Sequence, residues 1–258
     1  MSKTIGIQSD AHQNRPPIVS NHCRCSQVRR ISLSEPAGIP SVSLLIQLLD
    51  LFGTAAFAVT GAFKAVEHKS DIVGIIILAT ITGLAGGVIR DVTFNQFPPA
   101  AISNPFYVGI TIAVAVAIFF LYGSMKKHSN LFLKFDAIGL GVFTVIGASI
   151  AYNIAGLNFL AMAFAGVITA IGGGILRDVF VNEVPIVFVK ELYATASFAG
   201  VVMLFGLISA GVPLEVAAIP CIVAVTALRL LAISHGWNLP RPKVEPQTPC
   251  SLAAGWRA

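Results

Sequence analysis

Apolar residues along this chain run in long unbroken blocks, and polar residues collect between them. Seven such blocks stand out, at about 43–63, 72–94, 105–123, 136–154, 158–181, 190–211 and 213–234. At a rise of about 1.5 Å per residue, each is long enough to cross a hydrocarbon layer of about 30 Å. Between Asp71 and Lys126 the only charges are Arg90 and Asp91, and the 40 residues between Asp136 and Arg177 carry none. That stretch is twice the roughly 20 residues one crossing needs, which predicts two helices joined by a tight turn. Because lipid satisfies no backbone polar group, the fold expected is an all-α polytopic membrane protein with seven transmembrane helices.

Outside the blocks the character changes. Residues 1–41 are polar and interrupted by Pro16, Pro17, Pro36 and Pro40, and residues 239–258 are Pro-rich. Neither tail has the apolar content to pack, and both read as disordered. The first apolar block begins near Val42 and does not directly follow a basic start, so a signal peptide is not expected. Only 11% of residues are charged, against about 25% in soluble domains, which excludes a soluble enzyme.

The net charge of +5 would suggest nucleic acid in a soluble protein, but basic residues in short membrane loops record orientation. Seven crossings put the termini on opposite sides. One set of loops receives Lys64, Lys69, Lys126, Lys127, Lys134, Lys190, Arg241 and Lys243, while the other, the N-terminal tail aside, receives only the helix-borne Arg90. The C-terminus is therefore expected in the cytoplasm and the N-terminus outside, with Arg29 and Arg30 pulling the other way. The cysteines Cys23, Cys25, Cys221 and Cys250 lack zinc-ligand spacing, and no cofactor or metal is expected.

An internal repeat organises the blocks. The segment GGVIRDVTFNQFPP from Gly86 aligns with GGILRDVFVNEVPI from Gly173, with seven of fourteen positions identical at an offset of 87. Upstream the offset becomes 86, pairing Asp50, Gly53, Phe57 and Gly61 with Asp136, Gly139, Phe143 and Gly147. The repeats are residues 43–123 and 134–211, with a seventh helix over 213–234. Three crossings per repeat is an odd number, so the second copy enters from the opposite face. Such inverted repeats are common in transport proteins, whose paths lie where the repeats meet.

The glycines Gly86, Gly87, Gly172, Gly173 and Gly174 fall inside the second and fifth crossings. Either they are small contact residues that let helices approach, or they break these helices and expose backbone dipoles to a hydrated path. The second reading is favoured here, because Arg-Asp follows three residues later in both copies. Arg90, Asp91, Arg177 and Asp178 are costly in a span, by roughly 2.5–3.5 kcal/mol even on a lenient scale. Adjacent helical residues diverge by about 100°, so partners are sought elsewhere: Asp50 for Arg90 and Asp136 for Arg177, or else the arginines snorkel to lipid headgroups. Among hydroxyls, those near the glycines, Thr82 and Thr169, are the candidate pore-lining groups, although most hydroxyls in spans bond their own helix. No nucleotide-binding loop, metalloprotease motif or nucleophile elbow appears, and no enzymatic activity is expected.

The doubled segments GLAGGVIRDV and AIGGGILRDV, in two three-helix halves with a seventh helix appended, resemble the prokaryotic members of the trimeric intracellular cation (TRIC) channel family, a domain also labelled glycine transporter. The match covers roughly residues 43–234. What the resemblance implies is a homotrimer in the inner or plasma membrane, each subunit with its own pore for monovalent cations, potassium chiefly and sodium. The pore would run between the repeats beside kinked second and fifth helices. The family's glycines map onto Gly86 and Gly87, and onto Gly172, Gly173 and Gly174; Ala85 stands where a third glycine would complete the first copy. Carriage of a small amino acid such as glycine is the alternative, and a repeat that only packs is a third.

Overall fold

The structure, a computed structural model, describes residues 44–125, 131–189 and 192–236. The expectations for the two tails, for Lys126, Lys127 and Lys190, and for Cys23, Cys25 and Cys250 lie outside the described residues. The regular structure described is α-helical throughout. It comprises α1 (Leu44–Glu67), α2 (Ile72–Thr93), α3 (Ala100–Ser103), α4 (Pro105–Met125), α5 (Leu131–Ala155), α6 (Phe159–Phe180), α7 (Ile186–Val189), α8 (Ala194–Ser209) and α9 (Leu214–His235). Among the described residues six helices are long and apolar enough to cross a membrane, and α8 is apolar but only 16 residues, about 24 Å.

Two boundaries differ from the expected ones. The span drawn over 190–211 contracts to α8 because the chain turns at Leu192–Tyr193, seating the Tyr193 ring in the interior at 2% exposure. The span drawn from residue 136 begins instead at Leu131, which moves Asp136 into the second turn and buries it completely. The uncharged stretch does fold as two helices and a tight turn. Gly156 takes a left-handed φ of +66°, and Asn158 caps α6 by accepting from Ala161 N at 3.2 Å. Asp71 caps α2 in the same way, accepting from Gly74 N at 2.8 Å. Both α2 and α6 run into an asparagine in the left-handed region, Asn95 at φ 55° and Asn182 at φ 58°, a conformation that asparagine tolerates better than most residues.

The repeats meet through reciprocal contacts. A methyl group built on Gly86 in α2 would strike the main-chain oxygen of Thr169 in α6, and one on Gly173 would strike the main-chain oxygen of Thr82. Thr82 and Gly86 map onto Thr169 and Gly173 at the repeat offset of 87, so each helix offers the other the same pair of residues in antiparallel order. The same relation holds between α1 and α5. The space beside Gly53 is filled by Phe143 and that beside Gly139 by Phe57, with the two rings 5.2 Å apart. Swapped pairs of this kind are the mark of a two-fold axis, here relating the two halves of one chain. The inverted order of the repeats is thus visible in individual contacts.

Candidate functional site

The favoured sequence reading had the glycines break their helices; they do not. α2 is helical from Ile72 to Thr93 and α6 from Phe159 to Phe180, through Gly86, Gly87, Gly172, Gly173 and Gly174. Gly86 and Gly173 are instead the points where α2 and α6 touch, which a side chain would prevent. Thr82 and Thr169, expected to line a pore, are fully buried at this crossing. Their hydroxyls donate to the Leu78 and Ala165 carbonyls of their own helices, at 2.6 Å each. Both hydroxyls bond their own helix, as most hydroxyls in spans do.

Beyond the crossing, each repeat carries one charged cluster. In the first, Arg90 Nε donates to Asp91 Oδ1 at 2.8 Å, and Asp91 Oδ2 accepts from the Ala100 amide at 3.0 Å. Arg90 Nη1 lies 3.8 Å from Asp50 Oδ1, and Asp50 Oδ2 accepts from the Tyr107 hydroxyl at 2.8 Å. In the second, Arg177 Nε donates to Asp178 Oδ1 at 2.8 Å, and Asp178 Oδ2 accepts from the Ile186 amide at 2.9 Å. Arg177 Nη1 donates to Asp136 Oδ1 at 2.9 Å and to Thr60 Oγ1 at 3.0 Å. Each aspartate of the Arg-Asp dipeptide therefore clips its own arginine to the short helix, α3 or α7, that follows.

This corrects the argument that neighbouring Arg and Asp cannot meet. The divergence of about 100° applies to Cβ directions, and an arginine side chain is long enough to fold back across it. Sequence reasoning also passed over three residues. Tyr107 and Tyr193, 86 residues apart, stand in the same repeat register as Asp50 and Asp136. Arg229, which shares the seventh apolar block only with Glu215 at its start, is 2% exposed in α9, with its guanidinium carbon 4.8 Å from the centre of the Tyr193 ring. A charge within a span is a functional signal by itself, and it could have been found by the same rule that singled out Arg90.

The two clusters differ in access. A small cleft opens onto the first, lined by Asp50, Thr54, Gly83, Gly87, Arg90 and Tyr107 among others. In the second, Asp136 and Arg177 are both fully buried, and the Phe132 ring lies 4.7 Å from the Arg177 guanidinium carbon. Among the described residues no group of three or more His, Cys, Asp or Glu is arranged to hold a metal. The arrangement offers a polar recess in an otherwise apolar helical body, with carboxylate, hydroxyl and guanidinium groups facing one another.

Comparison with known proteins gives one consistent picture. A family model described as Glycine transporter matches twice, over residues 47–123 and 133–209. The UPF0126 inner membrane protein YadS of Escherichia coli (strain K12) is 33% identical over 201 residues, spanning 77% of this chain and 96% of that one. The solved TRIC trimeric intracellular cation channel orthologue from Rhodobacter sphaeroides has a TM-score of 0.72 at 34% identity, covering 76% of this chain and 100% of that one. A structure solved to explain conductance through TRIC cation channels has a TM-score of 0.71 at 36% identity, covering 78% and 98%. The chain belongs to the membrane-protein family described as Glycine transporter, and its fold is that of the prokaryotic TRIC channels.

Proposed function

We propose that this protein is a channel for monovalent cations, potassium chiefly, assembled as a homotrimer in the inner or plasma membrane with a separate path in each subunit. The observation that carries the reading is the first-repeat cleft. Its charged lining groups are Asp50, Asp91 and Arg90, which sum to one negative charge at the edge of a hydrocarbon-spanning body. An acidic recess of this kind raises the local cation concentration. It carries no closed cage of ligands that would hold an ion too firmly for rapid passage. The path runs from this cleft along the meeting of the repeats toward the second cluster. The loop lysines orient it, with the end bearing Lys64 and Lys69 in the cytoplasm.

Carriage of a small zwitterion is the second reading, favoured by one observation: Arg90 and Asp50 present opposite charges 3.8 Å apart at the cleft. The two readings part in one experiment. Purified protein in planar bilayers with asymmetric potassium and sodium passes unitary currents if it is a channel. Absence of current, together with saturable accumulation of labelled glycine in proteoliposomes, would replace the channel with a carrier.

A further inference from the structure

We propose that Arg229 of α9 is a tethered cation that takes, at Asp136 of the second repeat, the electrostatic place left at Asp50 of the first repeat to a permeating ion, so that the chain shuts this end of its own path. The inference rests on the channel reading above and adds to it the residue that closes the path.

The argument begins from the repeat. Asp50, Arg90, Asp91 and Tyr107 correspond one by one to Asp136, Arg177, Asp178 and Tyr193. Two acids against one arginine leave each cluster with one negative charge before anything else is counted. A net charge buried in a membrane protein needs a counter-charge or water. The first cluster has the open cleft, whose lining holds no further charged residue. The second has Arg229: α9 packs on α5 where Gly141 meets Thr226, about one helical turn from Asp136 on the one helix and from Arg229 on the other, and among the described residues this guanidinium brings the sum to zero. Lys64, 5.7 Å from the Phe132 ring, is paired with Glu183 at 2.7 Å and leaves that sum unchanged.

The difference originates in α9, the helix with no counterpart in the repeat. A guanidinium stays protonated at any working pH, so the charge it delivers is permanent. No hydrogen bond locks it to the acid: Asp136 Oδ2 and Arg229 Nε and Nη2 are buried with no hydrogen-bond partner. Arg229 rests on the Tyr193 ring, at the turn that leads into the short helix α8. A shift of that turn or of α9 would carry the guanidinium away from Asp136 and leave the acid to a mobile cation.

Single-channel recording of the full chain in symmetric potassium tests this with two substitutions. Arg229→Met keeps the length, removes the charge and leaves no buried N–H group; Arg229→Lys keeps the charge. Open probability or unitary conductance should rise several-fold in Arg229→Met and stay near the wild-type value in Arg229→Lys. A folded Arg229→Met protein with wild-type currents would overturn the proposal. So would failure of Arg229→Met to assemble where Arg229→Lys assembles, since the charge would then be structural. Absence of current in the wild-type protein would remove the channel reading itself, a result distinct from either.

Discussion

Gly86 in α2 lies against the main-chain oxygen of Thr169 in α6, closely enough that no methyl group fits between them. The obstacle is backbone and cannot rotate away. Overpacking costs typically about 1–3 kcal/mol, and Gly86→Ala and Gly173→Ala should fall at the upper end, with clearly lowered unfolding temperatures in detergent. Wild-type unfolding temperatures in both variants would show that the helices cross more loosely than described.

Gly87, one residue on, behaves differently. A methyl group there meets only Arg90 Nη2, at 3.7 Å, an ordinary contact. Gly87→Ala should therefore fold normally, helped by about 1 kcal/mol of helix preference. It should nonetheless reduce unitary conductance, because Gly87 lines the cleft. Gly123, with open space around it, is the matched control. Gly211, at φ +86°, is unsuitable, since alanine there is strained whatever the space. Unchanged conductance in Gly87→Ala would separate the cleft from the path.

The paired charges should couple unequally. Arg177 and Asp136 share a hydrogen bond at 2.9 Å with no exposure, whereas Arg90 and Asp50 stand 3.8 Å apart beside the cleft. Removing one partner of a fully buried pair costs about 3–5 kcal/mol, so Arg177→Ala should destabilise strongly and Asp136→Asn should partly restore it. The corresponding cycle for Arg90 and Asp50 should give a smaller interaction energy. Strict additivity in the Arg177–Asp136 cycle would mean that these two residues do not interact.

Tyr107→Phe removes the hydroxyl that donates to Asp50. The acid is then left with one donor fewer, at a cost of about 1–3 kcal/mol if water does not replace it. The expected result is a modest fall in unfolding temperature together with altered potassium conductance. Tyr193→Phe should leave conductance through the first cleft untouched, and equal effects in both variants would argue against the assigned asymmetry.

One ion pair shows which helix ends share a face. Lys64 at the end of α1 reaches Glu183 after α6 at 2.7 Å, so both ends lie at one face, while Leu157 in the α5–α6 turn lies at the other. On a background without native cysteines, cysteines at 69 and 183 should react with an impermeant reagent only from the cytoplasmic side, and a cysteine at 157 only from outside. Labelling of 69 and 157 from the same side would contradict the inverted order. Labelling of all three with sides exchanged would reverse the orientation alone.

Hydropathy and repeated identities carried the helices, the Gly156–Asn158 turn and the inverted register, because each of these depends on a long or doubled signal. The site was less legible for a physical reason. Sequence spacing says which residues share a helix face, but not which neighbour that face meets. Gly86 and Gly173 therefore read equally well as hinges or contacts, and only the position of Thr169 and Thr82 decides between them. The reach of Arg90 back to Asp91 depends on side-chain length, which Cβ geometry does not capture. Tyr193, at the turn before α8, and Arg229 of α9 come together from segments far apart in sequence, and Arg229 has no counterpart in the repeat.

The reciprocal crossing also has a meaning in time. The carbonyl that covers Gly86 belongs to Thr169, and the ribosome adds roughly 5–20 residues per second. For several seconds the newborn first repeat waits in the bilayer with its crossing face bare. A second repeat from another chain would fit that face equally well, since it carries the same residues. The chain's own copy arrives on a tether, at an effective concentration on the order of millimolar, and this head start selects the closed single-chain fold over an exchanged dimer.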